Sequence, residues 1–263
     1  CCRFGPASGS QLSFGNGTPL SPSVMSLSVF PNTEFWDTWL PTPPLTQMPA
    51  PVLFAITLHE AAHGYVARHF GDLTAYAAGR VSLNPLRHID VVGTIVVPLV
   101  SLLFADVFFG WAKPVPVNFA NLRHPKQDML WVAAAGPLSN LVMALGWALV
   151  FKFGASLAPG NPALGWLVFV GACGIFVNVI LMVLNLLPLP PLDGGRIVVS
   201  LLPHRLAWRF AKIEPYGFII LIALLLTKVL GYILWPLISL AVTGIGALFD
   251  IAPDRLFALL QLL

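Results

Sequence analysis

The chain has 263 residues, of which 57% are hydrophobic and only 10% charged. A water-soluble domain carries roughly 25% charged residues, so this chain lacks the charge to cover a water-exposed surface, and several stretches reach the ~20 apolar residues needed to span a bilayer. Its net charge of +3, with Lys and Arg gathered between apolar runs, points away from nucleic acid, and Cys1, Cys2 and Cys173 form neither a disulfide framework nor a metal-ligand pattern.

Residues 1–24 are rich in Ser, Gly and Pro and lack the charged-then-apolar order of a signal peptide, so disorder is expected there. The first methionine is Met25, which leaves two alternatives, a fragment or a native start at that residue. Residues 25–49 place Trp36 and Trp39 among prolines and read as an interfacial lead-in, with the indoles at headgroup level. A first spanning helix follows, with Pro51 in its opening turn, and runs to about Phe70, where Gly71 ends it.

Residues 72–89 have a short β-like alternation around Gly79 and Asn84-Pro85. The stretch 90–109 is apolar but broken by Gly93, Pro98 and Asp106, and 110–128 is polar and proline-rich, hence extended or looped. Two strong spans are predicted at about 129–151 and 165–187. After them come Leu187-Pro-Leu-Pro-Pro-Leu-Asp-Gly-Gly-Arg196 and an amphipathic stretch carrying Arg205, Arg209 and Lys212. The last apolar region, 216–249, is interrupted by Lys228 and Pro236 and fits one long helix or two short ones. The expected fold is an all-α integral membrane bundle with a small β-like cytoplasmic segment. Its expected parts are an irregular lead-in over 1–49, a core over 50–215 and a C-terminal transmembrane region over 216–263.

The first helix contains His59-Glu60-Ala61-Ala62-His63. Residues four apart share a helical face, so both imidazoles can reach one ion, and Glu60 sits beside that face, placed to take a proton from the attacking water. Two core or interfacial histidines are the plain alternative, but ionisable residues are costly in an apolar helix and usually mark function. Zinc catalysis needs a third protein ligand and one open position. Glu34 and Glu214 lie outside the clear spans, and His69, His88, His124 and His204 lie in polar segments or at helix ends. Asp193 directly follows a long apolar span in a Pro/Gly-rich break. At membrane depth such a break is tolerated only inside protein or beside a cavity. Asp193 is therefore a candidate ligand, with a helix cap as its alternative role.

His59-Glu-Ala-Ala-His-Gly64, Gly136-Pro-Leu-Ser-Asn140 and Asn185-Leu-Leu-Pro188 leading into Leu192-Asp-Gly-Gly-Arg196 occur in one order. Over about residues 50–210 the chain resembles the site-2 protease family of intramembrane metalloproteases. The resemblance implies one Zn²⁺ on His59, His63 and Asp193, with Glu60 as catalytic base. It places Asn140 near the site, holding substrate or oxyanion, a role an amide N–H₂ can fill; an interhelical hydrogen bond beside Gly136 and Ser139 is the other reading. Asn185 and Pro188 are expected to shape the break. The implied partners are transmembrane protein substrates and the lipid bilayer. Many family members carry a PDZ domain, for which the turn at 152–164 is too short, so a minimal core is expected.

One ion touching His63 and Asp193 requires the first helix and the 165–187 helix to run in the same direction. Residues 90–109 are then expected not to cross but to form a re-entrant segment around Pro98. Arg68, Arg80, Arg87, Lys113, Arg123, Lys126, Arg196, Arg205, Arg209 and Lys212 then share one face, against Lys152 between the two strong spans on the other. The positive-inside rule makes the rich face cytoplasmic, and the resemblance to a minimal bacterial-type family core implies a bacterial inner membrane. The expected function is hydrolysis of peptide bonds in or near transmembrane segments, with residues 72–84 available for strand addition to an unwound substrate. A catalytically inactive scaffold and a metal transporter are the rival readings. Intact Glu60 opposes the first, and the scarcity of polar residues in the spans opposes the second.

Overall fold

Unbroken apolar length decides which segments become bundle helices. In a computed structural model that describes residues 49–87, 90, 93, 96, 113–158, 161 and 164–260, the helices fall where those runs lie. Apart from Pro49, Asp90, Gly93 and Val96, the expected lead-in and the expected re-entrant segment lie outside the described residues.

Helix α1 is Pro49–His69, about 31 Å long at 1.5 Å per residue. It ends before Gly71, whose φ of 107° lets the chain leave the helix axis. Helix α2, Pro125–Leu157, starts with proline in its first turn and runs past Lys152, longer than the apolar run alone predicts. Helix α3, Gly165–Asn185, packs on α2 in the most extensive helix pair of the fold. A Cβ on Gly171 would press on the Phe151 backbone, and one on Gly154 on the Val168 nitrogen, so small residues let these axes close up. Their pairing makes α2 and α3 antiparallel, as does the Asn140–Asn178 hydrogen bond nearer the other end.

α1 is antiparallel to α2 as well, because His59 meets Asn140 while His63 meets Val132. α1 and α3 therefore run in the same direction, as one shared ion requires. The long connection from α1 to α2 returns to its starting level: the Arg123 N–H donates to Phe70 O at 3.0 Å. Asp72 ties that junction. Its carboxylate accepts from the Asn118 and Thr74 backbone N–H groups and from the Asn121 amide. Burial pushes this carboxyl up, but those donors and the Thr74 hydroxyl outweigh it and hold Asp72 below its ordinary range.

The β-like segment expected over 72–84 is not a strand. Thr74–Ala77 forms a single helical turn, and no strand occurs among the described residues. The Asp72 side chain, bonded to Thr74, starts that turn locally, and an alternating segment with no partner strand has nothing to pair with.

After α3 the chain breaks at 186–192 and re-enters helix as α4, Asp193–Leu201, then α5, His204–Ala211. The region 216–249 resolves into two helices, α6 (Glu214–Leu226) and α7 (Val229–Leu248), separated at Lys228, which has a φ of 61°. Pro236 sits inside α7 without ending it. A final short helix, α8, is Pro253–Leu260. Lys152 and Asp250 meet at 3.4 Å, so α7 ends at the same end of the bundle as α2. α2, α3 and α7 are each long and apolar enough to cross a bilayer. Val142, Leu149 and Phe153 on α2 and Leu240 on α7 point outward and exposed, a surface suited to lipid rather than water.

Candidate metal centre

Among the described residues, buried polar side chains gather where α1, α2 and the start of α4 converge: His59, His63, Asn140 and Asp193. His59 and His63, one turn apart on α1, bring their Nε2 atoms to 3.1 Å, with ring planes 82° apart. Asp193 opens α4 and places Oδ2 3.3 Å from each of those nitrogens. All three side chains are buried, and their ligand atoms lie within 4.8 Å of one another.

The far side of each imidazole decides what the near side can do. His63 Nδ1 lies 2.7 Å from Val132 O, a carbonyl that only accepts, so Nδ1 carries the proton. His59 Nδ1 lies 2.6 Å from Asn140 Oδ1, and the Asn140 amide N–H₂ donates to Asn178 Oδ1 at 3.0 Å, which fixes the amide with its oxygen toward the ring. In the neutral rings Nε2 is then the nitrogen with the free lone pair, and the two Nε2 atoms face each other and a carboxylate. Asp193 Oδ2 is the one buried side-chain polar atom without a hydrogen-bond partner among the described residues. Two lone pairs and an orphaned carboxylate oxygen in a buried space lack only a cation. Two imidazoles and one carboxylate, with a cavity beside them, match the three-ligand, one-open-position pattern of catalytic zinc.

Close approach makes this possible. Gly136 of α2 lies against both rings, where a Cβ would sit 2.6 Å from His59 Nε2 and closer still to His63 Nε2. Pro137 has no N–H to offer Ala133 O, and Ala133 borders the cavity. On the other side, Gly194 and Gly195 let the start of α4 pack against the backbone of Leu186 and Pro190, in the break that carries Asp193.

A cavity of about 150 Å³ adjoins the three ligand atoms and is also lined by Glu60, Asn185, Arg196 and the segment 114–119. Glu60 Oε2 accepts from the Val115 N–H at 2.7 Å, and Oε1 has no partner among the described residues. Asn140 is fully buried and does not line the cavity. Its amide bonds His59, Asn178 and, at 3.4 Å, Ala55 O. Its placement matches the interhelical hydrogen bond. Asn178 extends the chain of bonds to Gly174 O at 2.8 Å. Sequence reasoning gave no part to Val115, Phe119 or Arg196. Arg196 stood inside a quoted motif, and the alternating prolines of 114–117 were the available sign of a segment held straight beside something.

The comparisons agree with this geometry. The model of Peptidase family M50 matches residues 160–227, a stretch that includes α3, the break and Asp193. The chain is 39% identical over 215 residues to "Putative zinc metalloprotease YwhC" of Bacillus subtilis (strain 168), covering 79% of this chain and 94% of that protein. It is 30% identical over 184 residues to "Putative zinc metalloprotease Rip2" of Mycolicibacterium smegmatis, covering 68% and 66% respectively. A third relative, "Putative zinc metalloprotease MJ0611" of Methanocaldococcus jannaschii, is 28% identical over 143 residues, covering 53% and 62%. No solved structure matches. The chain belongs to Peptidase family M50, the site-2 protease family of intramembrane zinc metalloproteases.

Proposed function

We propose that His59, His63 and Asp193 hold one zinc ion and that Glu60 is the catalytic base for hydrolysis of peptide bonds in or near transmembrane segments of membrane-protein substrates. The observation that carries this reading is the unpartnered Asp193 Oδ2, equidistant from the Nε2 atoms of two buried imidazoles. A zinc ion bound there supplies Lewis acidity, polarising the scissile carbonyl and lowering the pKa of the attacking water. Glu60 takes the proton from that water and delivers it to the departing amine nitrogen as the peptide C–N bond breaks. The Val115 N–H holds the Glu60 carboxylate at the cavity while leaving one oxygen for that transfer. The test is cleavage of a single-span substrate by the full chain in vesicles. A zinc chelator should stop it and added zinc restore it; cleavage indifferent to chelation defeats the reading.

Asn140 is a positioning residue in this mechanism: it fixes the His59 tautomer and ring plane, and Asn178 fixes Asn140. Losing such an outer hydrogen bond typically costs 10–100-fold in metal affinity. Asn140→Ala should therefore weaken zinc binding by about that factor, measured by competition with a chromogenic chelator, while the bundle stays folded. An unchanged zinc affinity removes the role.

The core over 50–215 then carries the chemistry and the region after it completes the bundle. Arg68, Arg80, Arg87, Arg123, Lys126, Arg196, Arg205, Arg209 and Lys212 belong to segments joined at the metal-bearing end. That distribution supports a cytoplasmic position for this end in a bacterial inner membrane. A re-entrant course for 90–109 fits a connection whose two ends meet at Phe70 and Arg123.

A further inference from the structure

A second cleft, of about 260 Å³, lies beside the metal-centre cavity, and α2 and α4 contribute to the walls of both. On α2, Val132 lines the first and Met129 and Pro125 the second; on α4, Asp193 and Arg196 line the first and Val199 the second. The second cleft is lined chiefly by apolar groups that include Met129, Val199 and Ala207. Phe119 lines both cavities, with the Arg196 guanidinium 5.1 Å from the centre of its ring. Lys126, which also faces the cleft, donates to Leu202 O.

Distance relates the two cavities. Met129 lies three residues from Val132 and Val199 six from Asp193, or ~4.5 and ~9 Å of helix. At ~3.3 Å each, an extended peptide covers the longer of these spans in roughly three residues and the shorter in one or two. The cleft also lies at the charge-rich end of the bundle, where an apolar side chain drawn out of lipid by local unwinding has no other cover.

We propose that this cleft is a substrate subsite that receives a large apolar side chain, leucine or phenylalanine, two or three residues from the scissile bond. The assignment rests on the protease reading above and adds the specificity it leaves open. Its occupant is the substrate, because the shared Phe119 wall and the adjoining turns of α2 and α4 place the cleft directly beside the catalytic cavity.

The test uses the full-length, zinc-loaded protein in phosphatidylcholine–phosphatidylglycerol vesicles. The single-span substrate has its cleavage point set by mass spectrometry, and Ala, Leu, Phe or Trp is placed in turn at each position around that point. One position, two or three residues away, should show kcat/KM at least about tenfold higher for Leu or Phe than for Ala. Val199→Phe should erase that preference, bringing kcat/KM for the Leu and Phe substrates down to about that for the Ala substrate, and Val199→Ala should move the preference to Trp. Absence of such a position overturns the subsite, as does an equal effect of both variants on every substrate. Variants that change only the response to vesicle composition also overturn it, placing an acyl chain in the cleft instead. If wild type cleaves no substrate in the series, with or without chelator, the protease reading itself fails and the subsite falls with it.

Discussion

Gly136→Ala empties the metal centre while leaving the bundle intact. The added methyl would enter the space between the two imidazoles, 2.6 Å from His59 Nε2 and nearer to His63 Nε2, well inside any real carbon–nitrogen contact. The rings cannot swing aside cheaply. His59 is bonded to Asn140 and His63 to Val132, and both anchors stand on α2, the helix that carries Gly136. Relief must come from breaking those bonds or separating α1 from α2, and either moves the Nε2 atoms away from Asp193. Zinc affinity should fall by more than about 100-fold, beyond the range for losing one outer hydrogen bond, and cleavage should vanish with it. Gly146→Ala on the same helix is the control. A Cβ there meets nothing within 4 Å, so zinc content and activity stay at wild-type level and helix propensity improves slightly. Zinc content and cleavage in Gly136→Ala equal to those of the control would mean that the approach of α2 does not shape the site.

Glu60→Gln separates chemistry from binding. The amide keeps the side chain's size and an oxygen able to accept from the Val115 N–H, so the cavity wall stays in place. What it loses is a base, a function worth typically 10²–10⁴ in rate. The expected result is a kcat lowered by about that factor, with zinc content unchanged and KM little altered. Glu60 holds no metal in this arrangement, since the converging atoms belong to His59, His63 and Asp193. A Gln variant that kept most of its activity would move the base elsewhere, and one that lost its zinc would make Glu60 a ligand.

Much of this was legible along the chain, and the reasons differ from element to element. Helical periodicity puts His59 and His63 on one face whatever the rest of the fold does, so the pair was readable from spacing. The end of α1 at Gly71 and the proline-led start of α2 follow from local backbone chemistry. The parallel course of α1 and α3 was readable only by supposing one ion for two distant motifs; it follows from the contacts His59–Asn140 and His63–Val132 on one side of α2 and Asn140–Asn178 and Gly154–Val168 on the other.

Other features depend on partners that a linear reading cannot see. Asn140 looks the same in sequence whether it faces a substrate or a ring, and only the packing of α1 on α2 turns it toward His59. The alternation at 72–84 suggested a strand, but Asp72 bonds Thr74 and folds that stretch into a helical turn. Lys228 marked an interruption by its charge in an apolar run, but its left-handed backbone, at a residue type that seldom adopts it, did not show there. The Val115–Glu60 bond joins residues 55 apart and left no mark in either segment.

The central claim is that one zinc ion bridges two imidazoles and a carboxylate that lie far apart in the chain. Zinc K-edge X-ray absorption on the purified, full-length protein reads that coordination directly. The expected spectrum has only nitrogen and oxygen neighbours at ~2.0–2.2 Å with the outer-shell scattering of two imidazoles, and the Asp193→Ala protein loses one oxygen neighbour or the metal altogether. A sulfur neighbour, fewer than two imidazoles, or a spectrum unchanged by Asp193→Ala would contradict it.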